Sequence, residues 1–266
     1  MSAEKTMYVF DVDGVLSDVF IDEIDQEILQ LIARKIDAGS KIAFNIGRNS
    51  GYILRNVIAP LSKLTQHRES LDNVLVVSEM GVERTTFSGG VPTTSHTEFS
   101  MKQDDMQIAE RIFKKGDYKT IKFESDKATM VSASIIRGSQ NKVFLQERDR
   151  LQGEFAKAFA DKPLEIITTV GSVDVFEKGA GKRGGAKVIG EWLLSQTDAK
   201  HDSYVCFGDS PSDYKMAEYF AELDMDVKFV FTGKEDLLPI ETTGVPIVQT
   251  SGLYTAGTRG YLKDPY

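Results

Sequence analysis

A single cysteine, Cys206, in 266 residues excludes an intramolecular disulfide and makes the reducing cytoplasm the expected compartment. The chain also lacks a long apolar run: nothing approaches the roughly 18 residues of a membrane-spanning helix. Its first ten residues, MSAEKTMYVF, hold no signal-type apolar core, so a membrane partner is not expected. Histidine is scarce too, and His67, His96 and His201 stand without metal-ligand spacing. Any metal should therefore be a hard, oxygen-bound ion. Basic stripes with interleaved aromatics are missing and the net charge is −8, which argues against a nucleic-acid partner. An anionic ligand would meet an opposing global field, so local cations must attract it.

What remains is ordinary globular material, 41% hydrophobic and 27% charged, with enough apolar mass for a large core. Up to residue 81 strand and helix signals alternate. Strand MYVF precedes a helical spacing at Ile24, Ile28, Leu31, Ile32 and Ile36, stopped by Gly39. Strand KIAFNI, a helix GYILRNVIAPL expected to end near Pro60, and strand NVLVVSEMG follow. This rhythm predicts a parallel sheet covered by helices. A hairpin turning at Gly89–Gly90 breaks it.

Residues 97–176 then read α-β-β-α-β-β with short links between paired strands, an antiparallel α+β unit. Within it, the apolar face formed by Val143, Phe144, Leu151, Phe155 and Phe159 reads as core. The α/β rhythm resumes with RGGAKVIGEWLLSQ, SYVCF, SDYKMAEYFAEL, VKFVFT and VPIVQ. The expected architecture is α/β: a Rossmann-like parallel-sheet core, 1–96 with 177–266, interrupted by an inserted α+β domain at 97–176.

In an open parallel sheet, ligands bind beyond the carboxyl ends of the strands. There the sequence places Asp11 and Asp13 after YVF, Asn45, Gly47 and Arg48 after KIAF, and Asp209 after YVCFG. Asp13–Gly14 alone is ordinary turn chemistry. Likewise Ser210, Pro211 and Asp213 fit a capping box with proline at the first helical position. Capping does not explain Asp209. Four acids (Asp11, Asp13, Asp209 and Asp213) at one sheet edge repel unless a cation joins them, and Mg2+ suits an oxygen site with few protein ligands. Lys178, Lys182 and Arg183 crowd a helix start, the unfavourable end for cations, unless an anion binds there.

In order, DVDGV, GR after the second strand, GKR and GDSPSD resemble the motifs of the haloacid dehalogenase superfamily of phosphohydrolases. The inserted unit is similar to its C2B cap, the cap of sugar-phosphate phosphatases and phosphomannomutases. The resemblance implies Asp11 as nucleophile, Asp13 as general acid and base, and Lys182 as the cation beside the nucleophile. It implies Mg2+ held by Asp11, the Asp13 carbonyl and Asp209, with Asp213 as ligand or support. Gly14, Asn45, Gly47 and Arg48 would face the phosphate. One position departs: Ile46 stands where that family has Ser or Thr. Either Asn45 turns in, or backbone N–H groups bind the phosphate, or catalysis is weakened. The function expected is a Mg2+-dependent phosphomonoesterase for a small phosphorylated metabolite, as monomer or homodimer. Alternatives are a phosphomutase and a non-catalytic metabolite-binding protein.

Overall fold

Strand β1, Thr6–Phe10, lies at the centre of an eight-stranded sheet, and its alternating side chains feed two separate cores. Phe10 packs on one face with Phe44 and Phe207, and Met7 and Val9 pack on the other with Ala43 and Cys206. A strand buried on both faces needs helices on both, as parallel sheets do. The computed structural model describes residues 6–19, 23–169, 171–196, 203–238 and 244–264. His201 lies outside them.

Helix α1, Gln26–Asp37, starts where the Asp25 carboxylate accepts the N–H groups of Glu27 and Ile28. Strand β2, Lys41–Asn45, pairs with β1 in parallel. The expected stop at Pro60 does not occur. Helix α2, Ser50–Ile53, runs into a π-helical turn, Leu54–Ile58, and on into α3, Ala59–Leu64. Ala59 N–H reaches back to the Leu54 carbonyl, five residues away. This widened turn lets Pro60, which has no N–H to give, sit at the start of a new helical segment.

Strand β3, Val74–Ser78, extends the parallel sheet, and β4, Glu83–Ser88, reverses it. Gly89 and Gly90, both at positive φ, turn the chain into β5, Val91–His96.

The intervening elements are α4, Gln103–Gly116; β6, Ile121–Phe123; β7, Val131–Ile135; α5, Asn141–Ala158; β8, Leu164–Thr168; and β9, Ser172–Glu177. Their sheet has order β6-β7-β9-β8, all antiparallel. Ala133, Val173 and Val175 on one side of this sheet meet Phe144, Leu151 and Phe155 of α5.

The larger sheet then resumes with α6, Gly181–Leu194; β10, Ser203–Gly208; α7, Pro211–Ala221; β11, Val227–Phe231; β12, Ile247–Gln249; and α8, Tyr254–Lys263. Its order is β12-β11-β10-β1-β2-β3-β4-β5, with every pair from β12 to β3 parallel. The chain divides into two compact units, Met1–Ser95 with Gly181–Tyr266 and His96–Ala180. Among the described residues no helix is long and apolar enough to cross a membrane.

Candidate active site

At the carboxyl end of β1 the main chain keeps its pairing for one more residue, Asp11 N–H donating to the Phe207 carbonyl at 3.1 Å. The chain then folds back, with Gly14 N–H donating to Ser17 O at 2.8 Å. Gly14 sits at φ +76°, and a Cβ there would fall 2.4 Å from an Asp209 carboxylate oxygen. Only glycine gives both that conformation and that clearance.

Lys182 lies in the first turn of α6, and its ammonium has three partners for its three protons. Its Nζ is 2.6 Å from Asp11 Oδ1 and 2.8 Å from Asp213 Oδ1, and it donates to the Asn45 carbonyl at 2.8 Å. Asn45 returns the bond: its Nδ2 donates to the Lys182 carbonyl at 2.8 Å. One turn along α6, a Cβ on Gly185 would lie 2.2 Å from Asn45 Oδ1, so the helix reaches the strand end through glycine. The cations crowding this helix start thus divide. Lys182 is buried among acids, while Arg183 pairs at the surface with Glu222, which caps the end of α7.

Asp213 works twice. Its Oδ2 accepts Ser210 Oγ at 2.7 Å and Ser210 N–H at 3.2 Å, closing the capping box, while its Oδ1 meets Lys182. Asp11, Asp209 and Asp213 each bring one carboxylate oxygen within 4.8 Å of the other two. Burial raises the Asp11 pKa well above the usual carboxylate range; Lys182 opposes the rise, and Asp213, Asp13 and Asp209 add to it. Asp209 is pushed up to about 7 by burial first and then by Asp213. Burial disfavours the charge on Lys182, but Asp11 and Asp213 outweigh it and hold its pKa above the ordinary lysine value. Crowded carboxylates that resist ionisation suit a hard divalent cation, and the all-oxygen donor set fits Mg2+.

Asp13 is held apart from this cluster. Arg48 Nε donates to Asp13 Oδ2 at 2.9 Å and Arg48 Nη2 to Asp13 Oδ1 at 2.7 Å, a bidentate fork, and the guanidinium lies 4.2 Å above the Tyr52 ring. The loop that carries Arg48 is braced from behind. Glu79 N–H donates to the Arg48 carbonyl at 3.0 Å and Met80 N–H to the Ile46 carbonyl at 3.1 Å. Glu79, Met80 and Gly81 stand at φ +46°, +57° and +95°, three consecutive residues in left-handed backbone. Two of them are not glycine, so the brace stores strain next to the site.

Ile46 is 1% exposed and packs in the Phe10–Phe44 core, while Asn45 faces Lys182. The sheet edge therefore gathers Asp11, Asp13, Gly14, Arg48, Lys182, Asp209 and Asp213. Asn45 stands behind Lys182 with its side chain fully buried. Sequence reasoning missed the left-handed turn at residues 79–81 and the Asn45–Lys182 exchange. A lone polar residue closing the apolar run KIAF was the only sign of the second.

No protein-family model matches the chain. No curated protein matches it either. Solved structures do. The C-terminal domain of C. albicans trehalose-6-phosphate phosphatase aligns over 98% of this chain and 90% of its own, with TM-score 0.72 and 15% identity. A haloacid dehalogenase-like hydrolase from Bacteroides thetaiotaomicron aligns over 99% and 100%, with TM-score 0.67 and 12% identity. Plasmodium falciparum IMP-nucleotidase aligns over 80% of this chain and 56% of its own, with TM-score 0.56 and 16% identity. The chain has the fold of haloacid dehalogenase-like hydrolases, a parallel-sheet core with an inserted α+β unit.

Proposed function

We propose that the protein is a Mg2+-dependent phosphatase of a small phosphorylated metabolite, a sugar phosphate in the first instance. The observation that carries this reading is the Asp11 carboxylate, held 2.6 Å from Lys182 beside Asp209 and Asp213 at the end of the central strand. The fold of trehalose-6-phosphate phosphatase supports the substrate class.

Asp11 is the nucleophile. Its free carboxylate oxygen attacks phosphorus, the bond from phosphorus to the substrate oxygen breaks, and an aspartyl-phosphate forms. Asp13 gives its proton to the departing alkoxide. It then takes a proton from the water that attacks the aspartyl-phosphate, which releases inorganic phosphate and restores Asp11. Arg48 holds both Asp13 oxygens in the resting site. The entering phosphoryl group draws the guanidinium to its own oxygens and frees Asp13, ionised in that fork, to take up from solvent the proton it gives the alkoxide. Lys182 opposes the pull of burial toward the neutral acid at Asp11, and Asn45 keeps Lys182 in place. Because Ile46 offers no hydroxyl, Arg48 carries the side-chain contact from this loop to the phosphoryl oxygens. Asp11, Asp209 and the Asp13 carbonyl, with Asp213 in support, would hold Mg2+, whose charge would let a carboxylate approach a phosphate.

The test is phosphate release from a panel of sugar phosphates and nucleoside monophosphates, with Mg2+ or with EDTA. Metal-dependent release that disappears in Asp11→Asn supports the proposal. No release from folded protein across the panel contradicts it.

A further inference from the structure

Thr232 follows β11, is fully buried, and joins three loops of the sheet edge. Its N–H donates to the Gly208 carbonyl at 2.9 Å. Its hydroxyl donates to the Gly14 carbonyl at 2.8 Å and lies 3.2 Å from the Gly208 carbonyl. Its own carbonyl accepts Tyr254 N–H at 2.7 Å, the residue that opens α8. A hydroxyl has one proton, so the shorter contact to Gly14 takes the larger share.

These contacts lie one residue from the acids. Gly14 follows Asp13, and Gly208 precedes Asp209. With Gly14 N–H given to Ser17 O at 2.8 Å and its carbonyl tied to Thr232, both sides of Gly14 are fixed. The peptide that carries the Asp13 carbonyl shares the Gly14 nitrogen and is fixed with it. Asp209 is confined from two sides: a Cβ on Gly14 would lie 2.4 Å from its carboxylate, and one on Gly233 would lie 2.0 Å from its carbonyl. Thr232 and Gly233 therefore set the gap between the Asp13–Gly14 turn and Asp209.

We infer that Thr232 is a positioning residue for cation binding, its hydroxyl fixing the spacing between the β1 turn and Asp209. The inference rests on the Mg2+ site proposed above. It separates a positioning hydroxyl from simple packing, because Thr232→Val keeps the branched shape and removes only the donor, whereas Thr232→Ser keeps the donor.

The experiment is calorimetric titration of EDTA-stripped protein with MgCl2, using wild type, Thr232→Val, Thr232→Ser and Asp209→Asn, with melting curves for each. Thr232→Val should bind Mg2+ about tenfold more weakly than wild type, the effect expected when a buried partner behind a metal site is lost. Thr232→Ser should stay within about twofold, since it keeps the bond. Should Thr232→Val not fold, Thr232→Ser against Thr232→Ala asks the same question of the hydroxyl, with the methyl absent from both. Equal Mg2+ affinity with and without the hydroxyl, whatever the melting temperatures, overturns the inference. If wild type binds no Mg2+ and matches Asp209→Asn, the cation site itself fails and takes the inference with it.

Discussion

Lys182 and Asn45 hold one another by exchange: the lysine ammonium donates to the asparagine carbonyl and the asparagine amide to the lysine carbonyl, both at 2.8 Å. The pair joins a strand end to a helix start 137 residues away, and the same ammonium touches Asp11 at 2.6 Å. Asn45→Ala removes the amide and with it the side-chain bond to the Lys182 carbonyl. Losing one such bond is worth about 1–1.5 kcal/mol, so kcat should fall about tenfold with little change in KM. Steady-state kinetics on the best substrate of the panel checks it. An unchanged kcat would mean that Lys182 needs no support from β2.

Arg48 holds Asp13 by a planar fork that lysine cannot reproduce. Arg48→Lys keeps the charge and loses the second bond, and about 1.5–3 kcal/mol is expected from a charge-assisted contact. kcat/KM should drop roughly ten- to a hundredfold, and competitive inhibition by inorganic phosphate should weaken in parallel. Weaker phosphate inhibition without loss of turnover would assign Arg48 to binding alone.

Asp209 gives a pH dependence whose sign follows from its raised pKa of about 7, against an ordinary value of 3.8. The folded, metal-free protein binds a proton here that the unfolded chain releases near pH 4. This group therefore adds stability at acidic pH, and the contribution is lost as pH rises through about 7. A divalent cation competes with that proton. The rise in melting temperature on adding Mg2+ should be small near pH 5.5 and larger at pH 8, as scanning fluorimetry with and without EDTA would record. A shift independent of pH would contradict the assignment of Asp209 to the cation.

Met80 stands at φ +57° within the left-handed turn that braces residues 46–48. Met80→Gly relieves the backbone penalty of a side chain in that region, about 1–2 kcal/mol, and gives back part of it through the freer unfolded chain. Chemical denaturation should show a net gain of about 0.5–1 kcal/mol, while the looser brace lowers kcat. A destabilised variant would mean that Met80 packing against Gly47 outweighs the strain.

Much of this was legible in the sequence because the signals were local. Apolar runs of four to five residues marked the strands, Gly89–Gly90 marked the hairpin, and the order α-β-β-α-β-β of the inserted unit follows from alternation and helical spacing. DVDGV and GDSPSD placed the acids, since each closes an apolar run that must be a buried strand. The features that escaped are stabilised from a distance. Helix α8 buries Thr255, Gly257 and Thr258 beside Tyr261 and Leu262, which leaves no apolar stripe to read. The Asp18 carboxylate, 237 residues away, accepts Thr255 N–H at 3.3 Å and Thr255 Oγ1 at 2.8 Å at its start. Pro60 looked like a stop because a π-helical turn leaves no mark in sequence. The left-handed turn at residues 79–81 is written only as one glycine after two residues that seldom adopt that backbone.

The central claim is that Asp11 carries the phosphoryl group. A radiolabelled phosphomonoester, chosen from the panel, would be mixed with the enzyme and Mg2+, quenched in acid within one turnover, and the peptides mapped. Hydroxylamine-labile label is expected on the peptide containing Asp11, absent with EDTA and absent from Asp11→Asn. Full phosphate release with no label on that peptide at any quench time, or label retained in Asp11→Asn, would contradict it.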